Sequence, residues 1–205
     1  MSGLIRLASP CDGLRAAAIY GPAVEDSAAT FELVPPSADE MERRIEETLR
    51  FWPWLVCEVD GDTVGYAYAG KHHQRPGYRW SVNLSVYVDA RVRRSGVATA
   101  LYTSLLGLVA AQGHVNAYAG IALPNEASVA LHEGLGFTAV GVYHQVGHKF
   151  GRWHDVGYWE RPLAPRVANP APPVPLDVLR QRADWADLMR AGESSLRRAA
   201  RREPR

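Results

Sequence analysis

A chain of 205 residues, 47% hydrophobic and 22% charged, has the make-up of one globular domain with an appendage and is too apolar to stay disordered. At this length folding buries about 70% of the unfolded surface, so no disulfide or metal staple is required, and Cys11 and Cys57 lie too far apart for metal-ligand spacing. A net charge of +1 excludes a protein built throughout to hold nucleic acid, no run nears the roughly 18 apolar residues of a membrane span, and Met1 to Leu7 lacks the blocks of a signal peptide, so the expected location is the cytoplasm.

Asp39 to Arg50 carries Met41, Ile45 and Leu49 at four-residue spacing, which predicts an amphipathic helix. Trp54 to Val59 and Thr63 to Ala69 flank Asp60-Gly61-Asp62 and read as a β-hairpin, the Asp-Gly pair supplying positive φ. Trp80 to Val88 reads as a strand. Ala98 to Gln112, with Leu101, Leu105 and Leu108, reads as a helix stopped at Gly113. A strand over Val115 to Ala122, a short helix over Ser128 to Gly134, and strands over Phe137 to Val146 and Trp153 to Trp159 complete the pattern. This mixed order implies an α/β sheet with helices on its faces.

Six of the fourteen prolines lie between Pro162 and Pro175, which predicts a linker or extended strap. The expected division is therefore a domain over 1–163 and a Pro-rich linker with an Arg-rich helical extension over 164–205. Those last residues hold nine arginines and five acids, so they carry +4 and the rest −3. The basic tail is read as a solvated terminus; nucleic acid is not an expected partner.

The segment from Ser85 to Leu105 is the most informative. A strand leads into Asp89-Ala90-Arg91-Val92-Arg93-Arg94-Ser95-Gly96-Val97-Ala98 and then into an apolar helix. Small residues at a helix N-terminus let backbone N–H groups approach a phosphate, the helix end adds partial positive charge, and Arg93 and Arg94 add full charges. That describes a pyrophosphate cradle, although neither the P-loop nor the three-glycine dinucleotide motif is present.

A second segment, Leu123 to Phe137, opens a helix at Asn125 and returns through Gly136-Phe137 to a strand. Together the two resemble the GNAT superfamily of N-acetyltransferases, on Arg93, Gly96 and Ala98 and then on Asn125, Ser128, Gly136 and Phe137. The phosphinothricin N-acetyltransferases are similar over about residues 4 to 163, in particular at Pro53-Trp54-Leu55-Val56, Ala67-Tyr68-Ala69-Gly70, Ser85-Val86-Tyr87-Val88, Leu101-Tyr102, His132-Glu133 and Trp153-His154-Asp155. The resemblance implies a GNAT acyl-CoA N-acyltransferase fold, α/β, with a central, mixed, mostly antiparallel seven-stranded sheet flanked by helices. It implies acetyl-CoA as co-substrate, no metal, a small amino acid-like amine as acceptor, and a homodimer.

By the same resemblance Val86, Tyr87 and Val88 border the pantetheine slot, and the N–H of Val86 or Val88 meets the thioester oxygen. Arg93, Arg94, Ser95, Gly96, Val97, Ala98 and Thr99 surround the pyrophosphate. Asn125 and Ser128 face the pantetheine arm, and His132 protonates the leaving thiolate. Phe31, Arg75, Tyr78 and Lys149 line the acceptor side. Arg75 suits a carboxylate or phosphinate.

Two departures fall on the acceptor side. The family's general-base glutamate is replaced by Asn83, which cannot titrate but can hold water or orient the amine. Glu32, Glu25 and His73 are candidate substitutes. After Ile19-Tyr20 the chain reads Gly21-Pro22, a turn in place of two polar pocket residues. The adjacent pair His72-His73 is expected to point apart and to share no ion. The alternatives are an enzyme acylating a different small amine, and an acyl-CoA-binding protein with little catalysis.

Overall fold

A computed structural model describes residues 3–199. The strands are β1 (Gly3–Leu7), β2 (Trp54–Val59), β3 (Asp62–Lys71), β4 (Ser81–Val88), β5 (Asn116–Leu123), β6 (Thr138–Lys149) and β7 (Arg152–Pro162). The helices are α1 (Gly13–Glu25), α2 (Ala38–Leu49), α3 (Val97–Ala111), α4 (Glu126–Gly134), α5 (Leu176–Leu179), α6 (Trp185–Arg190) and α7 (Glu193–Ala199). One seven-stranded sheet runs β1-β2-β3-β4-β5-β7-β6, antiparallel throughout except for the parallel pair β4–β5.

Period-two side chains divide the core into two layers. Leu55, Cys57, Ala67, Ala69, Val82 and Leu84 point from one face onto α3, whose Leu101, Leu105 and Leu108 are fully buried. Trp54, Val56 and Tyr66 point from the other face onto α1 and α2, meeting Ala16, Tyr20, Met41 and Ile45. The Ser37 hydroxyl accepts from the Glu40 N–H and starts α2. Asp60 and Gly61, both at positive φ, close the β2–β3 hairpin as their sequence predicts.

Two elements differ from the sequence expectation. The edge strand β1 pairs with β2 from Gly3↔Val59 to Leu7↔Leu55. Gly21-Pro22 is not a turn: both residues lie inside α1, whose end is marked by the Asp26 N–H on the Pro22 carbonyl at 3.0 Å.

Beyond residue 163 the chain forms an extended strap and three short helices rather than one long one. Its described part is not a solvated terminus. Leu176, Leu179, Met189 and Leu196 are buried in the same layer as α3. Gln112 donates to the carbonyls of Phe51 and Val174 at 2.7 and 2.9 Å, and the Trp80 indole donates to the Ala171 carbonyl at 2.8 Å. The expected boundary at 163 thus falls within a continuous core. The arginines from Arg201 onward lie outside the described residues.

Candidate active site

β4 and β5 pair only at Ser81↔Asn116, Val82↔Ala117 and Asn83↔Tyr118. Past that point β4 stays on β3 as far as Gly65↔Val88, while β5 stays on β7 as far as Leu123↔Asp155. The two central strands therefore part at Asn83 and Tyr118 and leave a wedge in the middle of the sheet. The Asp89 N–H bonds the Val64 carbonyl, so odd-numbered residues of β4 turn their backbone groups to β3 and even-numbered ones turn theirs to β5. Val86 and Val88 thereby present N–H and C=O groups to the wedge with no strand opposite.

At the open end of the wedge a short 3₁₀ turn, residues Ala90–Val92, leads to α3. Asp89 anchors it by ion pairs to Arg15 and Arg91 and accepts from the Arg91 N–H. The Arg91 guanidinium above all holds the Asp89 carboxyl well below the usual carboxylate range. Arg94 and Gly96 adopt φ of 63° and 84°, Gly96 capping α3 in the left-handed conformation without any side chain. Loops that reverse handedness ahead of a helix turn successive N–H groups toward an anion. Arg93 and Arg94 are exposed, and no ion pair among the described residues engages either of them. Val97 is buried and belongs to the core, while Ala98 and Thr99 sit at the accessible edge of the first turn. A wedge with unpaired backbone groups, opening at a helix N-terminus beside two free arginines, fits an acyl-CoA thioester.

α4 borders the same wedge. Asn125 caps it, its carbonyl oxygen accepting from the Ser128 N–H at 3.1 Å, which leaves the amide nitrogen and one lone pair of the oxygen for a ligand. His132 is 3% exposed. Its Nδ1 lies 2.7 Å from the Ser128 carbonyl, which can only accept, so Nδ1 carries the proton. Nε2, 3.3 Å from the Tyr102 hydroxyl, is then the acceptor. Burial pushes the His132 pKa down, so the ring is neutral and its hydrogen bonds are committed within the protein. The Tyr102 hydroxyl on α3 is the donor of this pair. In the sequence Tyr102 figures only in the Leu101-Tyr102 match to the family, with no role attached to it.

The residues expected on the acceptor side form two groups. Phe31 packs against Gly147 and within 6.0 Å of the His154 ring, beside the β6–β7 hairpin. Lys149 belongs with it, but its ammonium is buried and donates to the Thr30 carbonyl at 2.8 Å, so it pins the loop that carries Phe31. The second group surrounds the point where β4 and β5 part. His72 Nδ1 lies 2.8 Å from Asn83 Oδ1, its ring stacks on Tyr118 at 4.4 Å, and Tyr78 packs against His72 and His73. The rings of His72 and His73 do not point apart; a bend after β3 brings them to 4.6 Å. No cluster of three or more metal-ligating side chains occurs among the described residues. Arg75 is exposed at the start of the 3₁₀ turn Pro76–Tyr78.

Of the candidate substitute bases, Glu32 is taken by Arg44, at 2.8 and 3.1 Å, and by the Tyr20 hydroxyl at 3.1 Å. Glu25 is exposed at the end of α1, and His73 is exposed beside His72.

A split parallel pair feeding a glycine-opened helix, with a polar floor where the strands part, defines an acyl-CoA-dependent N-acyltransferase. The chain belongs to the GNAT acetyltransferase family: the acetyltransferase (GNAT) domain matches residues 5–157. Phosphinothricin N-acetyltransferase of Streptomyces viridochromogenes is 41% identical over 177 residues, covering 86% of this chain and 94% of its own. The L-methionine sulfoximine/L-methionine sulfone acetyltransferase of Pseudomonas aeruginosa is 34% identical, covering 83% and 100%. The structure of a phosphinothricin acetyltransferase from Sinorhizobium meliloti in complex with acetyl-CoA superposes with a TM-score of 0.80 at 34% identity, covering 89% of this chain and all of that one.

Proposed function

We propose that this acetyltransferase moves the acetyl group of acetyl-CoA to the amine of a small amino acid-like acceptor of the phosphinothricin and methionine sulfoximine kind, and so detoxifies such analogues in the cytoplasm. The observation that carries the proposal is the parting of β4 from β5 at Asn83, beside a loop that offers Arg75 and Tyr78. Arg93, Arg94 and the first N–H groups of α3 hold the pyrophosphate. The N–H of Val86, or of Val88, bonds the thioester oxygen and stabilises the charge that develops on it. Arg75 takes the acceptor's carboxylate. No helix is long and apolar enough to cross a membrane among the described residues.

The test is thiol release. Purified protein is mixed with acetyl-CoA and, separately, phosphinothricin, methionine sulfoximine, methionine sulfone and a panel of small amines. Acceptor-dependent free thiol is expected with at least one amino acid analogue. Release with none of them overturns the substrate class. Tight acetyl-CoA binding without turnover, unrescued by Asn83→Glu, instead gives a binding protein; that second reading rests on the amide at position 83.

The active unit we propose is a homodimer. β6 is an edge strand, and Val140, Val142, Tyr143 and Val146 on it, with Phe150 and Trp153 at its hairpin, are 42–61% exposed. An apolar edge of that length is covered in a stable protein. Light scattering should give twice the chain mass, and Val142→Glu should halve it.

A further inference from the structure

We propose that His72, oriented by Asn83, is the base that takes the proton from the acceptor amine. This rests on the acetyltransferase reading and names the group that does its proton chemistry. Asn83 and Tyr118 form the last rung between β4 and β5, and the His72 ring lies over that rung. Its Nδ1 meets Asn83 Oδ1, an amide oxygen that only accepts, so Nδ1 carries the hydrogen and Nε2 is left with its lone pair. Among the described residues nothing bonds Nε2. Tyr118, stacked at an interplanar angle of 20°, fixes the plane of the ring.

The arrangement does two jobs. Asn83 cannot be a base, but its oxygen selects the tautomer that can be one. Val86, whose N–H faces the wedge, lies three residues further along β4, about 10 Å of strand, which is room for an amine and a thioester carbon between base and oxyanion donor. The bend that carries His72 continues into Arg75 and Tyr78, so the groups for a carboxylate and for an amine on the same carbon stand on one loop. The other groups around the ring are His73 and Tyr78 from that loop and Tyr118 from β5, with Glu160 of β7 opposite Tyr118 in the sheet.

The step balances without a co-reactant. Nε2 takes one proton from the ammonium form of the acceptor. The freed lone pair forms the C–N bond to the thioester carbon as the C–S bond breaks. The second nitrogen proton goes to the departing sulfur, and His72 returns its proton to water. The products are the amide and the free thiol.

The test uses the full-length protein with the acceptor that the wild type turns over fastest. His72→Phe keeps a ring against Tyr118 and removes the base. It should lower kcat by about 100-fold or more, within the range a positioned base supplies, with the acetyl-CoA dissociation constant unchanged by calorimetry. Free imidazole should restore part of the rate, and the acid limb of the wild-type kcat profile should vanish. Asn83→Ala should lower kcat less and leave the acid limb in place. Independently of activity, long-range nitrogen spectra of the wild type should show His72 as the Nδ1–H tautomer, and Asn83→Ala should mix the tautomers. The opposite wild-type tautomer, or a His72→Phe enzyme that keeps more than half its kcat, overturns the proposal while leaving the acetyltransferase reading intact. Loss of rate that imidazole does not restore, with the acid limb unmoved, also overturns it. A wild type that turns over no amine takes down both.

Discussion

The Ser104 hydroxyl on α3 donates to the Met189 carbonyl at 2.8 Å and accepts from the Gly192 N–H at 3.1 Å, a buried link across 85 and 88 residues of chain. It ties the C-terminal segment to the middle of the helix whose N-terminus we propose as the pyrophosphate site. Glu193 extends the tie by accepting from the Ile5 N–H at 3.3 Å, so the tail also holds the edge strand β1.

Gly192 has no room for a side chain. A Cβ placed there would lie 1.8 Å from the Ala100 carbonyl oxygen, which is backbone of α3 and cannot swing aside. Gly192→Ala should therefore destabilise the protein by about 1–3 kcal/mol. Denaturant midpoints would register it, and protease should cleave first in the strap. Deleting residues 164–205 should do more, because Leu176, Leu179 and Met189 leave α3 bare. A truncated chain with the full-length midpoint would refute this.

Gly96 and Arg94 are the next place to press. At φ 84° an alanine is strained by about 1–2 kcal/mol, and its Cβ would crowd the approach to the α3 N-terminus. Gly96→Ala should raise the acetyl-CoA dissociation constant about tenfold or more and leave acceptor KM nearly unchanged. Arg94→Gly separates charge from conformation: it relieves the strain at φ 63° while removing a cation. It should be more stable than wild type and yet bind acetyl-CoA more weakly, with a shallower salt dependence. Calorimetry at two ionic strengths decides.

His114 sets an acid limit on stability. It is 1% exposed, and burial lowers its pKa to about 4 from 6.5. Between those values the unfolded chain binds a proton that the native one does not, so stability falls as pH drops from 6.5 toward 4. The loss amounts to about 3 kcal/mol and is complete below pH 4. His132, also lowered by burial, adds in the same direction. Melting temperatures from pH 8 to 4 should trace the fall, and His114→Phe should flatten much of it. An unchanged slope in that variant would show the ring to be protonated inside the fold.

What the sequence revealed and what it hid divide along one line: local chemistry against long-range contact. Asp60-Gly61 announces its hairpin because positive φ is a demand on two residues alone. Met41 and Ile45 announce α2, and Gly96 announces the entry to α3, for the same reason. α1 is concealed because Gly21-Pro22 looks like a breaker, yet the helix runs on past Pro22 to Glu25 and gives up the bond that an N–H at position 22 would make to the Ala18 carbonyl. The tail is concealed by its arginines, which outnumber the three leucines and one methionine that are buried in the core. Lys149 and Glu32 resemble free pocket charges until the fold supplies Thr30 and Arg44 as their partners. The His72–Asn83 bond spans eleven residues around a bend, and no periodicity encodes it.

The Phe31 loop gives a test of the acceptor side that leaves the thioester side alone. Phe31 lies flat against Gly147 of β6, where an added Cβ would come within 2.3 Å of the ring. The loop is otherwise held by the Lys149–Thr30 bond and by Glu32, which joins it to Arg44 of α2. With both anchors in place, Gly147→Ala cannot shift the loop as a whole, so the Phe31 ring itself must turn. If Phe31 walls the acceptor pocket, Gly147→Ala should raise acceptor KM about tenfold, leave the acetyl-CoA dissociation constant unchanged, and change the ranking of phosphinothricin against methionine sulfoximine. Lys149→Met frees the loop instead and should raise KM for every acceptor alike. Steady-state kinetics on both variants with two acceptors separates the outcomes, and an unaltered KM in Gly147→Ala would place the pocket away from Phe31.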